Sequence, residues 1–134
     1  MTLVLVIDDE QQQTRFVSRA LEVAGFDTLS ARDGAEGMML LREYRPQLVI
    51  TDLIMPVMEG IETIVEIRRT SPAMRIIAMS GGGMRWNGMD FLEAAMKLGA
   101  DATLRKPFRV AELLDVVDEV MAHAPARPGC DDNY

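Results

Sequence analysis

Four times along the chain a short run that reads as a strand stops on a reactive polar residue. Leu3-Val4-Leu5-Val6-Ile7 stops on Asp8-Asp9, and Leu48-Val49-Ile50 stops, after Thr51, on Asp52. Residues 75–79 stop on Ser80, and residues 102–105 on Lys106. Continuous runs this short, rich in branched side chains, read as strands buried on both faces, the pattern of a parallel sheet. Between them the apolar residues recur at helical spacing. Val17, Ala20, Leu21 and Ala24 do so over 11–24, with Gly25 placed to close that helix. Asp33 can cap a second helix, through Met38 and Leu41, that Pro46 ends. A third helix spans 60–70 and a fourth 89–98; the last, over 109–122, carries Leu113, Val117 and Val120 on one stripe. With a weaker strand at 28–31, five strands alternate with five helices. Short connections between alternating elements call for an α/β fold, a doubly wound five-stranded parallel sheet with right-handed crossovers.

A chain of 134 residues, nearly half of them apolar, suits one domain with a proper core. That domain is expected over residues 1–122, with a loose, flexible tail over 123–134. A net charge of −7 with no basic stripe argues against a nucleic-acid partner for this domain. The single cysteine, Cys130, excludes an internal disulfide. The first apolar run is too short for a signal-peptide core or a membrane span, so no membrane insertion is expected and the location is read as cytoplasmic.

In a parallel sheet all strands end on one edge, so Asp8, Asp9, Asp52, Ser80 and Lys106 become neighbours. Three carboxylates together repel and persist when a cation sits among them. Carboxylate oxygens with waters left over suit Mg²⁺. Lys106 adds a fixed positive charge, the one near the pocket, and Ser80 adds a hydroxyl donor. A carboxylate, a hard cation, a lysine and a hydroxyl make a phosphoryl-transfer site with Asp52 as nucleophile. Each piece alone is bland: an acidic pair after a strand is usually a solvated turn, and Lys-Pro is usually a surface turn. Four such pieces on successive strand ends are a constellation. The eleven methionines read as core filling, Trp86 as a loop residue that folds back or meets a partner, and His123 as solvated.

The segments "VIDDE" at 6–10, "TDLIMPVMEG" at 51–60, "AMSGG" at 78–82 and "GADATLRKPF" at 99–108 resemble the response-regulator receiver domain of two-component signalling, of the chemotaxis-regulator type. The likeness covers residues 3–121 and implies a flavodoxin-like sheet of order 2-1-3-4-5. It implies Asp52 as phospho-acceptor and a Mg²⁺ site at Asp8, Asp9, Asp52 and the backbone carbonyl of Ile54. Ser80 and Lys106 would contact the phosphoryl group, and Lys106-Pro107 would be joined by a cis peptide. The implied partners are a histidine kinase or histidine phosphotransfer protein upstream and an unknown protein target downstream. The chain reads as a stand-alone receiver, a phosphorylation-dependent switch and not an enzyme beyond its own phosphorylation and dephosphorylation. Two features depart from the family pattern. Thr103 stands where an aromatic switch residue is common, and the stretch after Ser80 is long and glycine-rich. Switching is therefore expected to involve Gly81, Gly82, Thr103 and Pro107. Three other readings compete. An aspartyl-phosphate phosphatase would need a second carboxylate where Ile54 stands. A receiver-like interaction module would work without phosphorylation. A flavin or nucleotide binder would meet an acidic first loop that repels phosphate.

Overall fold

The computed structural model describes residues 2–53, 59–81, 85–86 and 88–123. The main sheet holds β1 (Leu3–Ile7), β2 (Asp27–Ala31), β3 (Leu48–Asp52), β4 (Arg75–Gly81) and β7 (Ala102–Lys106). All four pairings are parallel, in the order β2-β1-β3-β4-β7. Counting only strands of this sheet, that is the expected order 2-1-3-4-5. A two-stranded antiparallel ribbon, β5 (Arg85–Trp86) with β6 (Met89–Asp90), accounts for the extra numbers. The helices are α1 (Gln11–Val23), α2 (Gly34–Tyr44), α3 (Glu59–Thr70), α4 (Phe91–Leu98) and α5 (Val110–Ala122).

Alternation along the strands splits the core into two layers. Leu5, Ile7, Val49, Ile76 and Ala78 pack under α2, α3 and α4 with Leu41, Ile64, Ile67 and Leu92. Val4, Val6, Leu48, Ile50, Ile77 and Met79 face α1 and α5 with Val17, Leu21, Leu113 and Val117. Burying each such side chain favours the fold by about 1.5–3 kcal/mol. The β3 strand is buried from end to end, its polar Thr51 and Asp52 included.

Local signals act as the sequence suggests. Gly25, at φ +102°, follows the C-cap of α1. Its N–H donates to Glu22 O, and Phe26 N–H donates to Leu21 O, closing the helix with two reversed bonds. Asp33 caps α2 by accepting from Glu36 N–H at 2.8 Å.

Two expectations need correction. The fourth helix begins at Phe91, because residues 89–90 belong to the ribbon. The strand that was to stop before Ser80 continues through Ser80 to Gly81, because β7 supplies partners for both: Ser80 pairs with Arg105 and Gly81 with Lys106. The sequence carries a signal for the ribbon. Asn87-Gly88 between short strands is a two-residue hairpin signal, and Gly88 adopts φ +77°.

Candidate functional site at the carboxyl edge of the sheet

Asp52 closes β3 and is almost fully buried. The ladder continues past it, with Leu53 N–H donating to Met79 O at 2.9 Å. The first turn of α3 comes in very close. A Cβ on Gly60 would run into the carbonyl oxygen of Asp52 and come 2.5 Å from Leu53 Cα. Glycine at position 60 is therefore what lets α3 seat against the end of β3.

Asp8 directly follows β1 with its side chain wholly inside. Oδ1 accepts from Glu10 N–H at 2.9 Å, which fixes the carboxylate at the start of α1. Oδ2 is buried without a hydrogen-bond donor. Burial pushes the Asp8 carboxyl up from 3.8 to about 6; the negative charge of Asp52 adds to the rise, while the Glu10 N–H and the Lys106 ammonium pull against it. Lys106 stands at the end of β7, joined to Pro107 by a cis peptide. Its Nζ lies 3.5 Å from Asp8 Oδ2 and 3.3 Å from Asp52 Oδ2. One ammonium thus bridges two buried carboxylates that come from different strands.

Asp9 joins them from the exposed side: one oxygen each from Asp8, Asp9 and Asp52 lies within 4.8 Å of the others. The donor set is all carboxylate oxygen, and one buried oxygen lacks a donor, so these residues fit a hard divalent cation such as Mg²⁺. The expected crowding of three carboxylates needs one refinement, because Asp8 and Asp52 are buried whereas Asp9 is exposed.

Ser80 is buried near the end of β4, and its hydroxyl donates to Gly81 O at 3.0 Å. The edge therefore brings Asp8, Asp9, Asp52 and Lys106 together, while the Ser80 hydroxyl is bonded to its own chain. Gly81 lies across from Lys106 in the ladder, and Thr103 across from Ala78. Thr103 is half-buried and Pro107 exposed. Ile54, Gly82 and Cys130 lie outside the described residues, as does the tail beyond His123.

Lys106 is not the lone basic residue near the pocket. Asp8 and Asp9 open onto a cleft of about 510 Å³ whose walls include Thr14, Arg15 and Arg32. Thr14 and Arg15 fall in the first turns of the helix that follows the acidic pair, and that position was the signal that could have found them. A larger groove, about 790 Å³, lies between α1 and α5, is lined by Phe16, Val23, Val110 and Leu114 among others, and does not include the carboxylates.

Among the described residues no helix is long and apolar enough to cross a membrane. Residues 4–118 match the response regulator receiver domain family. The chemotaxis protein CheY of Halobacterium salinarum is 30% identical over 118 residues, which cover 88% of this chain and 95% of that protein. The transcriptional regulatory protein PrrA of Mycobacterium tuberculosis is 32% identical over 111 residues, covering 83% of this chain and 46% of PrrA. This chain spans about half the length of the first of its curated relatives. Several of these are named transcriptional regulators, so the expectation that nucleic acid plays no part draws no support from them. Among solved structures, a response regulator receiver domain protein from Clostridium thermocellum superposes with a TM-score of 0.81 at 31% identity, covering 91% of this chain and 95% of the other. The chain belongs to the response-regulator receiver domains of two-component signalling.

Proposed function

We propose that the chain is a phosphorylation-dependent switch in which Asp52 accepts a phosphoryl group from a phosphohistidine of a histidine kinase or phosphotransfer protein. The observation that carries this reading is the bridge made by Lys106, 3.3 Å from Asp52 and 3.5 Å from Asp8 at the ends of three strands. An oxygen of Asp52 forms a bond to phosphorus as the bond from phosphorus to the leaving imidazole breaks. Lys106 follows the charge onto the phosphoryl oxygens, and Ser80 donates to one of them after its hydroxyl turns from the Gly81 carbonyl. Asp8, Asp9, Asp52 and the Ile54 carbonyl would hold Mg²⁺, which supplies charge neutralisation on the transferring group. The cleft beside Asp8 and Asp9 opens next to these carboxylates, with Arg15 and the Glu36-paired Arg32 on its wall.

The domain is taken as residues 1–122, acting in the cytoplasm on a downstream protein target. It turns over no outside substrate, since a hydrolase of the aspartyl-phosphate type would need a second carboxylate where Ile54 stands. Acetyl phosphate with Mg²⁺ is expected to add one phosphoryl group to the wild type and none to Asp52→Asn, read by intact mass spectrometry. Chelation is expected to abolish labelling. Equal labelling of the mutant ends the assignment of Asp52.

A further inference from the structure

The phosphoryl site needs a mechanical outlet, and Thr103 provides none. A threonine has no ring to swing between the core and solvent, and its χ1 is stiff. Two residues further along β7, Arg105 reaches to Asp90, with Arg105 Nη2 donating to Asp90 Oδ2 at 2.8 Å. Asp90 is the N-cap of α4, and its other oxygen accepts from Leu92 N–H at 2.8 Å. One carboxylate therefore ties β7 to the first turn of α4.

Two routes run from Asp52 to that carboxylate. The first goes through Lys106, the next residue in the chain after Arg105. The second goes through β4, where Met79 pairs with Asp52 and the next residue, Ser80, pairs with Arg105. Both meet at the Asp90–Arg105 pair.

We propose that this ion pair is a latch that holds α4 against β7 while Asp52 is unmodified and opens when Asp52 is phosphorylated. The proposal rests on the phosphorylation reading above. A phosphoryl group adds negative charge at Asp52, draws Lys106 and Ser80 toward it, and so shifts the ends of β7 and β4 on which the latch is strung. The latch is weak enough to yield, because the two side chains are 52% and 26% exposed. A pair this open to solvent biases an equilibrium by up to about five-fold, within the range that couples distant sites. Opening would free the N-terminal turn of α4 together with the ribbon, where Gly88 already holds φ +77°.

The test is hydrogen exchange over residues 81–98 in wild type, Asp90→Asn and Arg105→Met, each with and without acetyl phosphate and Mg²⁺. Asp90→Asn keeps a capping oxygen for Leu92 N–H. Arg69→Met, which breaks the exposed pair with Glu66 on α3, serves as the control. The unphosphorylated latch variants are expected to exchange in the first turn of α4 up to about five-fold faster than wild type, toward the phosphorylated level, while the control stays at the wild-type rate. Phosphorylation should then change the variants less than it changes the wild type. If wild type and latch variants have the same α4 exchange before phosphorylation and respond equally to it, the latch is refuted while labelling of Asp52 stands. If the wild type takes no label at all, the phosphorylation reading fails and the latch fails with it.

Discussion

Asp8→Asn in the absence of metal tests the electrostatics of the site most directly. The Asp8 carboxyl is raised from 3.8 to about 6, chiefly because it is buried. Between those values the folded state holds a proton that the unfolded chain has released. The contribution is fully present below about pH 4 and is lost as pH rises through about 6. A rise of about two units corresponds to roughly 3 kcal/mol of stability absent at pH 7. Asparagine carries no charge and keeps an oxygen for Glu10 N–H, so the variant escapes most of that loss. Lys106 loses one of its two carboxylate partners in exchange, which reduces the expected gain to roughly 1–2 kcal/mol. For a domain of this size that is a rise in Tm of about 4–8 °C. Thermal melts in chelator at pH 7 and pH 4 are the assay. The variant should melt higher than wild type at pH 7, and the gap should close at pH 4, where the wild-type carboxyl is largely protonated too. Added Mg²⁺ should raise wild type more than the variant, because metal binds the folded pocket and the variant has lost a donor. Asp52→Asn removes a buried negative charge beside Asp8 and should also melt higher than wild type in chelator at pH 7, and Asp9→Asn, being exposed, should gain less. If Asp8→Asn melts at or below wild type at pH 7 by the same margin as at pH 4, the carboxyl is not strained by burial and the pocket is misread.

Lys106→Met should act in the opposite direction, since it leaves Asp8 and Asp52 without their shared ammonium. A loss of roughly 2 kcal/mol in chelator at pH 7, with labelling by acetyl phosphate strongly slowed, is expected from melts and mass spectrometry. Gly60→Ala should cost about 1–3 kcal/mol through the clash of its Cβ with the backbone of Asp52 and Leu53, and unchanged denaturant unfolding would show that α3 can move aside freely.

What could be read in the sequence follows from how each feature is encoded. A buried parallel strand carries a continuous apolar run, so β1, β3 and β4 announce themselves. The residue that ends each run is then placed at the site edge by topology alone, which is how Asp8, Asp52 and Lys106 converge from positions far apart. β2 is an edge strand with a mixed burial pattern, and Asp27-Thr28-Leu29-Ser30-Ala31 gives it a correspondingly faint signal. The signal for the ribbon is faint for a different reason. Two-residue strands have no periodicity to detect, and their mark in the sequence is the Asn-Gly pair at 87–88.

Side-chain partners are set by neither periodicity nor composition. Nothing in the one-dimensional pattern says that Arg105 turns toward Asp90 while Lys106 turns toward Asp8 and Asp52. Strand alternation supplies the reason once β7 is known. Adjacent residues leave opposite faces, so one basic pair serves two tasks, Lys106 toward the carboxylates and Arg105 toward the N-terminus of α4. The same alternation sets Thr103 on the face of Arg105, toward α4 and away from Leu104, which packs with α5. The position that has no ring and the residue that carries the ion pair thus share one face of one strand. In this chain that face has an electrostatic contact available for coupling the site to α4, where an aromatic side chain would otherwise serve.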